Sequence, residues 1–290
     1  MVGANTVSSP AITPSPPATQ TQATAQQILL AAASHAERAP ATSGRYWHVK
    51  SIENRIYLVP AGYHVTSPAV EELWTAARSG DSSWSGRLQQ AARPSTPADE
   101  QAWRADGSPT GWRILGNRLS TRSQKPNLTR LIGPPTYLGE NEVSRAELEQ
   151  LPTDPNKLHA WLEKRVKAQG GIPSDAVLQS QVFDTVVQLL AATPASPALR
   201  AAALRVLAAM PYVHSAGAGK DDRGRTGVRI VFDSGSALGY AGEMIINPDG
   251  PAVLQINQKV DSGAKMIQEI DTLILTAEWT NNKPQPPTAP

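Results

Sequence analysis

Cysteine is absent from the 290 residues, which excludes disulfide bonds, iron–sulfur clusters, cysteine-ligated zinc and thiol catalysis. The compartment stays open, because a chain without thiols works in oxidising and reducing surroundings alike. Phenylalanine is scarce, at two residues beside seven Trp and six Tyr. Tyr and Trp combine an apolar body with a polar tip, so this balance suits half-exposed sheet faces and binding surfaces. A large charge of either sign is also missing: 27 basic and 25 acidic side chains leave a net charge of +2. Nucleic-acid binders carry clustered basic excess that such a total does not show, and no nucleic-acid partner is expected. No run reaches the roughly 18–20 apolar residues of a membrane helix.

No charged residue precedes Glu37, and residues 4–23 are almost wholly Ser, Thr, Pro, Ala and Gln. Such a segment cannot bury enough apolar surface to offset chain entropy. Residues 1–23 therefore read as a disordered linker, and the Pro-rich polar residues 281–290 as a second disordered tail. Without a basic n-region or an apolar h-region, the start is not a signal peptide. Tails of this composition join membrane segments to outside domains, and plain terminal disorder has the same composition; both readings stay open.

Between the tails, residues 24–280 read as one α+β domain. Thr24 and Gln27 make a capping box before an apolar run, which predicts a helix ending near Arg38. RYWHVK at 45–50 and NRIYLVP at 54–60 predict paired strands. Ser67-Pro68 predicts a short helix through Trp74, with Pro at its first position. WSGRLQQ at 84–90 and GWRILG at 111–116 suit strands, and Thr96-Pro97 starts a helix through Trp103. In LPTDP at 151–155, Thr153 or Asp154 caps a helix; Ser174 and Ser196-Pro197 open two more, and Pro211 stops the last. This helical unit, about 153–210, sits between strand-rich parts. After it, YVHSAG, TGVRIVFD, GEMIIN, PAVLQINQKV and Leu273–Trp279 predict strands joined by DDRG, DSGS and NPDG turns. Strands, then helices, then strands imply an antiparallel sheet, half-barrel-like if it curves, packed against several amphipathic helices.

No short motif specifies a reaction. SAGAGKDDRGRTG at 215–227 resembles a phosphate loop only superficially: Gly219-Lys220 is followed by Asp221, and His214 stands where the first Gly belongs. A hairpin connection fits better, with Asp222 and either Arg223 or Arg225 bracing the turn. The five histidines have no short metal-ligand spacing, and no metal or other cofactor is expected. GSALG at 235–239 puts Ser one place too early for a nucleophile elbow. Between Arg87 and Arg130, eight basic residues face three acids. Trp103-Arg104 and Trp112-Arg113 lie in that window, and an aromatic beside a guanidinium can hold anionic polymers, sugars or bases. Trp103, Arg104, Trp112 and Arg113 are the candidate ligand-binding residues; Trp in a sheet face with Arg snorkelling beside it is the structural alternative.

LPTDP at 151–155, SPALRAAALRVLAAMP at 196–211, DDRGRTG at 221–227 and INPDG at 246–250 occur in that order. The succession resembles a largely uncharacterised family of actinobacterial membrane-anchored proteins, in which a transmembrane helix precedes an outside domain. The resemblance covers roughly residues 24–280, and this sequence departs from it in lacking the membrane helix. It implies an extracytoplasmic location, on the membrane's outer face or secreted, with membrane contact only through a segment absent from this chain. It implies no reaction, cofactor or catalytic residue. The expected function is a non-enzymatic binding or sensing domain of the bacterial envelope, with a small-molecule, lipid or envelope ligand. An apolar groove between sheet and helices would support it. The alternatives are an envelope-acting hydrolase with a carboxylate or dispersed Ser/His/Asp site, and a partner-binding structural module working through the basic Trp-Arg segment.

Overall fold

The computed structural model describes residues 23–78, 80–114, 116–132, 136–139, 141–171, 174–234, 240–250, 253–260 and 267–289. Residues 1–22 of the proposed linker 1–23 and the GSALG segment lie outside them. Among the described residues, ten strands form one open antiparallel sheet, and helices cover part of one face. The class is α+β, and the sheet does not close into a barrel.

The strands nearest the two chain ends pair at the centre of the sheet. β1 (Tyr46–Leu58) lies between β14 (Ile267–Thr280) and β2 (His64–Ala76). On the β2 side follow β3 (Trp84–Gln89) and β7 (Asn127–Arg130), with the two-residue β4 (Arg93–Pro94) also pairing β2. On the β14 side follow β13 (Val253–Val260), β12 (Tyr240–Ile246), β11 (Thr226–Phe232) and β10 (Val213–Lys220). Two hairpins stand apart: β5 (Gly111–Ile114) with β6 (Asn117–Ser120), and β8 (Thr136–Leu138) with β9 (Asn141–Val143).

Two expectations fail here. RYWHVK and NRIYLVP are not partners; they are the two halves of β1, which pairs with β2 along its whole length from Tyr46↔Ala76 to Leu58↔His64. Ser67-Pro68 starts no helix but lies inside β2. A strand tolerates proline where no ladder bond needs its N–H. The Pro68 carbonyl accepts the Gln90 N–H at 2.9 Å, so this edge of Pro68 faces β3. The β3 ladder ends one residue away, at Ala69↔Gln89.

The helices start where short side chains can take up orphan N–H groups. α1 (Ala25–Arg38) has the full Thr24–Gln27 capping box. α2 (Pro97–Ala105), α4 (Pro155–Ala168), α5 (Asp175–Ala192) and α6 (Pro197–Ala209) are capped by Thr96, Asp154, Ser174 and Ser196. A second capping box, Ser144 with Glu147, opens the short α3 (Arg145–Glu149).

Two cores result. The large one joins α1 and α3–α6 to β10–β14, with Leu29, Leu162, Phe183, Leu207, Ile230 and Phe232 almost wholly buried. Burying each such side chain is worth about 1.5–3 kcal/mol. Small faces permit close approach, and α1 (Ala32, Ala33, Ala36) packs directly on α6 (Ala201, Ala202, Ala203). The small core lies at the far end of β1 and β2, where Tyr57, Tyr63 and Val65 meet Trp112, Ile114 and Leu119 of the β5–β6 hairpin.

The glycine-rich segment is the β10–β11 hairpin. Its brace is Asp221, not Asp222. The buried Asp221 carboxylate accepts the N–H groups of Arg223 at 2.9 Å and Arg225 at 2.8 Å, and also the Arg225 guanidinium. Asp221 precedes the turn and is enclosed, whereas Asp222 stands exposed. The C-terminal tail 281–289 has no regular structure, yet Pro287 is buried against Gly86 of β3, where a Cβ would come within 2.8 Å of Pro287 Cδ. A disordered tail would leave that proline in water.

Candidate ligand site

α5 and α6 meet in a proline-flanked junction, Thr193-Pro194-Ala195-Ser196-Pro197. Arg200, in the first turn of α6, points back into it. Its Nε donates to the Ala195 carbonyl at 3.3 Å, Nη1 to Leu190 at 2.5 Å and Nη2 to Thr193 at 2.9 Å. The guanidinium thus satisfies carbonyls at the C-terminal end of α5, where a cation also complements the helix dipole. Burial pulls the Arg200 pKa down to about 10, so the group stays charged at neutral pH. It lies 5.2 Å from the centre of the Trp47 ring, and Trp47 Nε1 donates to the Ala192 carbonyl at 3.2 Å.

Beside this junction a cavity of about 460 Å³ opens between the sheet and the helix layer. Its walls come from the end of α1 and the following Ala39–Thr42, from α3, from the α5–α6 junction, and from β1, β13 and β14. Ala36, Pro40, Leu148, Leu190, Trp47 and Trp279 make it predominantly apolar. The two indoles meet edge to face, with centres 5.6 Å apart. Arg145 of α3 lies 4.9 Å from the Trp279 ring and donates through Nε to Glu149 at 2.7 Å. Its Nη1 is buried and has no hydrogen-bond partner among the described residues.

The cavity lies where β14 extends past β13. β13 and β14 pair from Gln255↔Leu273 to Lys259↔Glu269, and β14 continues for seven residues beyond that ladder. Arg225 bridges the point where the ladder stops: Nη2 donates to Leu254 at 3.2 Å and Ile274 at 2.6 Å. Asp221 holds Arg225 from behind, so the hairpin turn is tied to the cavity wall.

The residues singled out from the sequence lie elsewhere. Trp112 is buried in the small core and donates through Nε1 to the Tyr63 hydroxyl at 2.9 Å; that hydroxyl donates to Asp106 at 3.0 Å. Trp103 packs against the same core and donates to the Pro109 carbonyl at 3.0 Å. Both indole N–H groups are therefore engaged within the protein. Arg104 pairs with Glu100 one helical turn away at 2.6 Å, an exposed contact that contributes little. Arg113 stands directly opposite Arg118 across the hairpin, and both border a shallow depression with Arg122. The structure thus brings the two tryptophans into one core, and directs Arg104 and Arg113 to the surface.

Several other titratable groups have structural partners. His48 stacks on Trp74 at 3.8 Å and meets Glu72 at 3.1 Å, and Glu72 also pairs with Lys50 at 3.0 Å. On α5, Asp184 accepts the Tyr240 hydroxyl and, at 2.8 Å, Gln258 Nε2; burial pushes its carboxyl up to about 6. Among the described residues no cluster of three His, Asp or Glu could hold a metal, and no helix is long and apolar enough to cross a membrane.

Arg200, Arg145, Trp47 and Trp279 were not candidates from the sequence. One signal was present: Arg200 shares a helix face with Ala203, Leu204 and Leu207, all buried. A charge on an apolar stripe must find partners or a ligand. No family model matches the chain, and no curated protein and no solved structure matches it.

Proposed function

We propose that the protein is a non-enzymatic binding domain that holds an apolar or amphipathic small molecule between its sheet and its helix layer. The observation that carries this reading is the cavity of about 460 Å³ lined by Trp47, Trp279, Leu148 and Leu190. Sites that enclose small ligands span roughly 300–1,000 Å³ and are mainly apolar with a few placed polar groups. The outer side of a bacterial envelope is the proposed location, supported by the ordered LPTDP, SPALRAA, DDRGRTG and NPDG motifs.

Ala277 lines the cavity from β14 and is exposed, so a larger side chain there enters the cavity without crowding a closed core. Ala277→Phe is expected to keep the unfolding midpoint and weaken binding of a medium-chain amphiphile by at least tenfold. Binding is read by titration calorimetry and by Trp emission. Unchanged affinity in Ala277→Phe would remove the cavity as the binding site.

A further inference from the structure

We propose that the cavity's ligand carries an anionic end, held by Arg200 and Arg145 beside Trp47 and Trp279. The proposal rests on the reading of the cavity as a ligand site and adds the ligand's charge class. A guanidinium has five N–H donors, and Arg200 spends three of them on the carbonyls of Leu190, Thr193 and Ala195. No carboxylate among the described residues lies within 4.0 Å of it. A buried cation with neutral partners only is poorly compensated, and the negative end of α5 offsets a fraction of that charge. Arg145 adds the second observation: its side chain lines the same cavity against the Trp279 ring, and among the described residues its guanidinium is hydrogen-bonded only through Nε, to Glu149.

The distribution of charge along the cavity points the same way. Its two carboxylates, Glu149 and Glu278, are exposed at the rim, and Glu149 already receives Arg145 Nε. Arg200 is buried and Arg145 half-buried, so potential rises towards the interior. Arg225, the remaining cation of the lining, is neutralised by Asp221. A cationic end would find Trp47 and Trp279 already in contact with guanidinium groups and would be repelled by both. A carboxylate or phosphate monoester can take the unused guanidinium N–H groups, which bind such planar or multi-oxygen anions well. The apolar remainder of the molecule would lie along Trp47, Leu148 and Leu190.

The test uses the full chain and four probes that share one alkyl tail: dodecanoate, dodecyl phosphate, dodecanol and dodecyltrimethylammonium, each below its aggregation threshold. At least one of the two anions is expected to bind ten or more times tighter than dodecanol, with dodecyltrimethylammonium weakest. Preference for dodecanoate or for dodecyl phosphate separates a fatty-acid source from a phosphate headgroup, and either supports the proposal. Arg145→Gln removes the exposed Glu149 pair and the guanidinium contact with the Trp279 ring but no buried apolar packing, so the fold survives it. It should weaken the preferred anion about fivefold and leave dodecanol unchanged. Arg200→Lys keeps the charge and loses the fork, and should also reduce the preference for the anion. If dodecanol binds as tightly as both anions and neither variant changes the ratio, the anionic end is refuted and the apolar cavity stands. If none of the four binds, the cavity reading itself falls.

Discussion

Asp221 offers the sharpest test of how the cavity wall is held. Its side chain is fully enclosed, and it accepts three hydrogen bonds: two from the backbone N–H groups of Arg223 and Arg225, and one from the Arg225 guanidinium. All three bonds end on an ionised carboxylate, so each belongs to the class worth about 1.5–3 kcal/mol. Arg225 is 36% exposed, so solvent screening places its share at the lower end. Asp221→Ala should then cost about 4–5 kcal/mol. Asp221→Asn keeps one oxygen for the backbone N–H groups and turns an amide towards the guanidinium, so it should cost about 1.5–2 kcal/mol. Urea unfolding followed by Trp emission measures both. The hydrogen bonds to Arg225 and Arg223 hold the Asp221 carboxyl below its ordinary value against the opposing cost of burial. A depressed carboxyl stabilises the fold above the unfolded value of about 3.9, and that stabilisation is lost as pH falls through the folded value. The gap between wild type and Asp221→Asn should therefore be flat near neutrality and shrink in acid. A loss under 1 kcal/mol for Asp221→Ala, or a gap that widens in acid, would refute the assignment of Asp221 as the brace.

Two further variants probe groups away from the cavity. Asp184→Asn should change how stability depends on pH, because burial raises that carboxyl from 3.8 to about 6. A raised carboxyl favours the protonated fold, so wild type should lose about 2–3 kcal/mol between pH 4 and pH 7 relative to Asp184→Asn; parallel pH profiles from urea melts would contradict this. Tyr63→Phe leaves the buried Trp112 N–H without its acceptor and should cost about 1–3 kcal/mol. The same change should alter Trp112 emission, and an unaltered spectrum with full stability would show that the link contributes nothing.

The helix starts were legible because a cap is a local device. A Ser, Thr or Asp oxygen reaches an N–H three residues on, so Thr24, Thr96, Asp154, Ser174 and Ser196 could be read without knowing what surrounds them. The Ser144–Glu147 box was legible by the same rule, although nothing in the sequence reading used it. Ser67-Pro68 has the same local signature and yet lies in a strand. Its conformation is set by pairing with Asn54 and Ser67 with Arg55 in β1, contacts that no window of neighbouring residues contains. The division of RYWHVK from NRIYLVP failed for a related reason. Residues 51–53, which separate the two segments, continue the strand and pair with both β2 and β14.

The candidate site was hidden more deeply. Trp103-Arg104 and Trp112-Arg113 stood out because aromatic and basic residues were adjacent in the chain, whereas burial is decided by what packs over them. Trp112 is covered by Tyr63 and Leu119 in the small core, leaving Arg113 on the outer face of its hairpin beside Arg118. Trp47, Arg145, Arg200 and Trp279 are scattered over most of the chain and become neighbours only when β1 pairs with β14 beneath the α5–α6 junction. By itself the sequence determined the absence of thiol chemistry, the positions of the capped helices, the strand-rich last third and the α+β class, because composition, caps and periodicity act over a few residues. Only the tertiary structure decided that a guanidinium would be buried against carbonyls instead of a carboxylate, and that a cavity would open where β14 outruns β13. Both depend on which distant segments share a surface, and there the energies of burial and pairing are set.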